Sequence, residues 1–200
     1  MLNAPDSMLV NRLRDELVSG DSSATERLFD ASGVAPPTVV WAPGQDDMTS
    51  GPFDHLIAFW RARKGDRPWP AEAEIDPVDL RPALGRLLIC EPVDDAADFR
   101  IRLYGSRLAL EMGRDLTGTY ISEFAPTSYI TTFYLACYRA VILRGEPLFT
   151  RHEPSLDAYA ADIKRLLLPF GDDGRITRIV TAVDSVPRLP LGRLAWTRRS

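Results

Sequence analysis

The chain has 200 residues, 45% of them hydrophobic, with a net charge of -4 and a pI near 5.3. That is enough apolar material for one well-filled core and too little for two, and it lacks the basic surplus with which a general nucleic-acid binder neutralises phosphates. The acidity is concentrated at the start: residues 1–50 carry 8 acidic and 3 basic side chains, residues 51–200 carry 20 and 21. No stretch approaches the roughly 18 apolar residues of a membrane span. Arg12, Arg14, Asp15 and Glu16 interrupt any signal-peptide core, so a cytoplasmic protein without a membrane partner is expected. Cys90 and Cys137 both lie among apolar neighbours, which suits reduced, buried thiols better than a disulfide framework or a metal cluster.

Leu9, Leu13 and Leu17 recur at spacing four beside Val10, which predicts a short amphipathic helix over 6–19. A second helix is expected over 23–31, with Leu28 and Phe29 as its apolar contacts. Between 33 and 52 the composition turns to Pro, Gly, Asp and Ser, which is linker chemistry, so residues 1–52 read as a helical leader and linker separable from the rest of the chain. Phe53, Leu56, Ile57 and Trp60 then share one face of a helix that Gly65 can end. Asp76 can cap a turn begun by Pro77, and the apolar run 87–90 reads as a strand. Residues 99–104 alternate, with Phe99, Ile101 and Leu103 on one side and Arg100, Arg102 and Tyr104 on the other, a second strand paired back through the turn at 94–98.

Gly105, Gly113 and Gly118 break the next stretch into short helical pieces. The longest helix is expected over 127–144, after Pro126 and ending near Gly145; Leu135, Ile142 and Leu143 widen the stripe of Ile130, Phe133, Cys137 and Val141, so it should lie across a sheet. Three strands come next, over about 148–153, 163–170 and 175–183, the last two joined by a Gly-Asp-Asp-Gly hairpin turn. Two strands, short helices, one long helix and three strands make an α+β fold: an antiparallel sheet with helices packed on one face.

Trp60 with Arg61 and Arg63, Ile75-Asp76-Pro77, LLICEPV, FRIRLYGS, GRDLTGTYISEF and LLLPF before a glycine turn resemble, in order and spacing, a PAS-domain protein of the single-PAS family common in alphaproteobacteria. The resemblance covers 53–184, leaving 185–200 as a C-terminal tail. It implies a five-stranded antiparallel sheet in the order 2-1-5-4-3, a small cavity enclosed by the short helices and the long helix, and a sensory or interaction role, often through homodimers.

No cysteine sits in a flavin-binding helix motif, and the long helix holds no histidine to ligate haem; His55 and His152 fall on the preceding helix and on a strand. No tightly bound cofactor and no metal are therefore expected. If their strand face meets the cavity, Arg102 and Tyr104 form the leading ligand-binding pair, a guanidinium there being able to grip a carboxylate or phosphate. The alternative is that Glu91 or Glu153 balances Arg102. Arg107 at the first short helix, and Tyr134, Cys137 and Tyr138 on the long helix, are further ligand-binding candidates. The leader helix can pair with its twin in a dimer or fold back on its own domain. The tail, with Arg193, Trp196, Arg198 and Arg199, can attach to an acidic partner or fray.

Enzyme signatures are missing: there is no glycine-rich phosphate loop or nucleophile elbow, and the acid pairs Asp94 with Asp95 and Asp172 with Asp173 fall in solvated turns. The expectation is a non-enzymatic signalling module that binds a small ligand, a signalling protein or both, with no output domain after residue 184. Two alternatives stand beside it. One is a cone-like α+β enzyme acting on a hydrophobic acid through Arg102, Tyr104 and Asp162; the other is a ligand-free dimerisation scaffold.

Overall fold

Six strands form one antiparallel sheet in the computed structural model, which describes residues 5–48, 51–125, 128–155 and 160–187. In chain order the elements are α1 (Ser7–Ser19), α2 (Ser23–Asp30), β1 (Thr38–Trp41), α3 (Gly51–Lys64), β2 (Leu87–Val93), β3 (Asp98–Tyr104), α4 (Ser106–Met112), α5 (Tyr129–Arg144), β4 (Leu148–His152), β5 (Ala160–Asp172) and β6 (Arg175–Pro187). The sheet order is β1-β4-β5-β6-β2-β3. Its last five members are the strands expected from sequence, with the expected neighbours.

Two expectations need correcting. Residues 33–52 are more than linker: Thr38–Trp41 forms β1 and pairs with β4 at the sheet edge, from Thr38 opposite Arg151 to Trp41 opposite Leu148. Its β-branched Thr-Val-Val run suits a pleated, half-buried edge once β4 is there to pair with. Helices also cover both faces of the sheet instead of one. α1, α2 and α5 pack on one face, while α3 packs Phe53, Leu56, Ile57 and Trp60 on the other with Phe149, Leu166, Leu168 and Val180. Trp60 Nε1 donates to the Pro169 carbonyl at 2.7 Å, so the indole buries its ring on β5 without leaving its N–H unpaired.

The leader takes the fold-back option. Asp6 caps α1 by accepting from the Met8 amide at 2.9 Å, and Gly20 ends it in the left-handed region at φ 83°. Val10, Leu13 and Leu17 are buried, and α1 lies on α5. At about 1.5–3 kcal/mol for each fully buried aliphatic side chain, the stripe that could have faced a twin is consumed within the chain. Phe29 of α2 continues this layer edge-on to Tyr129 and Phe133, with ring centroids 5.1 and 5.2 Å away.

Sandwiched between α1 and the sheet, α5 is buried on nearly every side, which explains why its apolar residues exceed one stripe. β5 and β6 meet in a two-residue turn with Asp173 at φ 51° and Gly174 at φ 72°, the mirror-image geometry that matches strand twist. The C-terminal basic cluster and Pro126 lie outside the described residues. No helix among the described residues is long and apolar enough to cross a membrane.

Candidate ligand cavity

Between the α5-covered face of the sheet and α4 lies a small cavity, with about 30 Å³ open to the centres of water-sized molecules, room for on the order of two waters. Leu88, Ile163 and Val183 rise from the sheet, and Leu108 of α4 with Ile121 and Phe124 of the following 3-10 turn close it from above. Polar groups enter from three sides: Tyr104 at the end of β3, Tyr134 and Tyr138 on α5, and Arg165 on β5.

The roof is held by few contacts. Its entry, Gly105, lies against the Gly85 backbone, and the Gly85 carbonyl accepts from the Arg107 and Leu108 amides at 3.0 and 3.1 Å, satisfying amides that the first turn of α4 leaves open. Gly113 ends the helix at φ 73°. Its main side-chain tether is Glu111, which accepts from Arg86 Nη2 at 3.0 Å and from Ser185 Oγ at 2.7 Å, clasping α4 to the end of β6.

Arg165 is the unusual residue of the site. Only 3% of it is exposed, its guanidinium stacks 3.7 Å over the Tyr134 ring and 5.4 Å from that of Tyr138, and its Nη1 has no hydrogen-bond partner. Burial opposes its charge, while the acidic side chains beside it, Tyr138, Tyr134 and Cys137, hold its pKa above the ordinary arginine value, so it stays cationic; burial keeps Tyr138 and Cys137 protonated near neutral pH, where neither supplies a counter-charge. The ion pairs among the described residues do not include it. Burying an ion costs several kcal/mol, and a desolvated cation–π contact returns about 2 kcal/mol. Two rings therefore leave this cation short of a counter-charge.

Arg165 is not alone in lacking partners. Thr150, directly opposite it on β4, has a buried Oγ1 without one, and so do both ring nitrogens of His152. Burial, then the charge of Arg165, lowers the His152 pKa to about 3, so the imidazole is neutral. Tyr138 shares a 2.8 Å hydrogen bond with Thr181 and accepts one from the Cys90 thiol at 3.6 Å. Burial raises its pKa, keeping it a neutral phenol.

The sequence-derived candidates are divided by one β-bulge. β2 pairs Cys90 with Ile101 but Ile89 with Leu103, so Arg102 is an extra residue and the strand's facing changes there. Phe99, Ile101 and Tyr104 all turn towards the helices, whereas Arg102 and Leu103 are exposed. The expectation that Arg102 and Tyr104 share a face is thus corrected: Tyr104 lines the cavity, and Arg102 lies outside it, 3.5 Å from Glu91. Arg107 also lies outside, its Nε 3.4 Å from Glu111. Tyr134 and Tyr138 line the cavity, while Cys137 is buried in the core beside it. Arg102, Tyr104 and Asp162 do not come together: Arg102 lies outside the cavity, and Asp162 pairs with Arg151 at 3.1 Å on the opposite side of β5 from Arg165.

Arg165 is not among the candidates expected from the sequence. The signal was present: within ADIKRLLLPF it alternates with Ile163 and Leu167, two residues of the core. A family model described as a PAS domain matches residues 48–183, more than half of the chain. No curated protein and no solved structure matches it.

Proposed function

For a chain that belongs to the PAS-domain family, a family of sensory and signalling modules, we propose a specific role: a small ligand enters the cavity beneath α4, and the response passes to a partner protein. The observation that carries this reading is Arg165, a buried cation with an unpaired Nη1 at the wall of the cavity. Apolar walls with a few convergent polar groups are the usual make-up of a small-molecule site.

The route outward is the Glu111 clasp. A ligand that lifts or tightens α4 changes the distance from Glu111 to Arg86 and Ser185, and so biases the end of β6 between two arrangements. The protein acts in this reading without chemistry of its own, in the cytoplasm, and a second copy is one partner. A dimer would use a surface other than the apolar stripe of α1, which α5 already covers.

The small cavity volume favours one competing reading, a ligand-free interaction scaffold whose own side chains fill the space. Native mass spectrometry of freshly purified full chain, followed by amide hydrogen exchange with and without the small-molecule fraction of a cell extract, separates the two. The sensor reading expects either a retained small molecule or slowed exchange across residues 105–125. Bare protein whose roof exchanges identically in both conditions would leave the scaffold.

A further inference from the structure

The charge count of the cavity says what kind of molecule suits it. Among its described lining residues Arg165 is the one cation, and none is acidic. Close by, His152 has two nitrogens without partners, and the Thr150 hydroxyl, a second potential donor, stands opposite Arg165 in register. Nη1 is held in place by the stacking of its guanidinium on Tyr134. One fixed positive charge in an apolar enclosure is neutralised by one negative charge; a dianion would leave a buried excess with no second cation to meet it.

Resting on the ligand-receiving role above, we propose that the cavity takes a small monocarboxylate with a short apolar body. Its carboxylate accepts from Nη1 of Arg165, and its hydrocarbon part lies against Leu88, Leu108, Ile121 and Val183. A planar guanidinium matches the carboxylate geometry better than an ammonium would. Dicarboxylates and the phosphate dianion fail on charge, and long-chain fatty acids fail on length. The space as it stands holds little more than the carboxylate head, so the body is accommodated by displacement of α4, the element with the lightest tethers.

The test is calorimetric titration of the full chain with sodium acetate, propionate, butyrate and hexanoate at fixed ionic strength, with 1-butanol, succinate and inorganic phosphate as comparisons. At least one alkanoate should bind saturably and at least tenfold more tightly than 1-butanol, succinate or phosphate. Arg165→Met should lose that binding by tenfold or more while keeping wild-type circular dichroism. Should Arg165→Met fail to fold, Leu108→Trp fills the cavity from the roof, leaves Arg165 in place, and should abolish the same binding.

Equal binding of butyrate and 1-butanol would overturn the anionic anchor but leave a ligand-receiving cavity standing. Tighter binding of phosphate or succinate would overturn the monoanion assignment alone. Absence of binding by every alkanoate would overturn the proposal, and the hydrogen-exchange experiment then reports separately whether the cavity receives anything at all.

Discussion

Gly105→Ala is the sharpest perturbation of the roof. Gly105 has ordinary backbone angles, φ -59° and ψ 140°, so any L-residue could adopt its conformation. What forbids a side chain is space: a Cβ there would stand 2.3 Å from the Gly85 carbonyl oxygen and 2.5 Å from its carbon, roughly 1 Å short of van der Waals contact. Both obstacles are backbone, so β3 and the 85–86 turn must separate. That overpacking costs about 1–3 kcal/mol. It also strains the bonds from the Arg107 and Leu108 amides to the same carbonyl, each worth about 0.5–1.5 kcal/mol. Stiffening of the unfolded chain by alanine returns about 0.4–1 kcal/mol. The net loss is about 3 kcal/mol, or about 6–12 °C in Tm for a chain of this size.

Urea denaturation followed by tryptophan fluorescence measures the loss, with Gly113→Ala as comparison. Gly113 has open space around it but a left-handed φ of 73°, so alanine there should cost only about 1–2 kcal/mol. Amide exchange over 105–125 should accelerate in Gly105→Ala and much less in Gly113→Ala. If Gly105→Ala proves no more destabilising than Gly113→Ala, close packing of the roof entry against Gly85 is not what holds α4 in place.

Burial has two further measurable outcomes. His152 has its pKa lowered to about 3 from 6.5, by burial first and Arg165 second. The unfolded chain therefore binds a proton below pH 6.5 that the folded chain refuses, and stability falls between pH 6.5 and 3, by up to about 1.4 kcal/mol per pH unit; above pH 6.5 the residue contributes nothing to the slope. The stability gap between wild type and His152→Phe should shift by about 2 kcal/mol in favour of the variant between pH 7 and 5, and a gap independent of pH would contradict a buried neutral imidazole. Burial likewise pushes the Cys90 and Cys137 thiols to about 12, so Ellman's reagent at pH 8 should label neither in the native protein and both rapidly in denaturant. Fast labelling of either thiol in the native state would show that α5 does not seal them.

Much of the architecture is local and therefore legible in the sequence. Spacing-four leucines mark α1, strict alternation marks the first part of β3, and a Gly-Asp-Asp-Gly turn joins β5 to β6. β1 escapes such a reading because Thr38–Trp41 sits in a proline-rich run and becomes a strand only by pairing with β4, more than a hundred residues later. Alternation places Arg102 on the wrong side because it assumes an unbroken ladder, and the bulge opposite Ile89 and Cys90 leaves no mark on periodicity.

Taken alone, the amino-acid order determines where helices and strands form and which residues each one holds on a common face, because those depend on neighbours within a few positions. Whether α1 met a twin or its own α5, and whether the buried Arg165 found an ion-pair partner among the described residues, was decided by tertiary structure. The isolation of Arg165 is a property of what β4 and α5 place around it: Thr150, Tyr134 and Tyr138, none of them acidic. Burial and charge compensation are sums over contacts distant in sequence, and they come into being only when the sheet and its helices close.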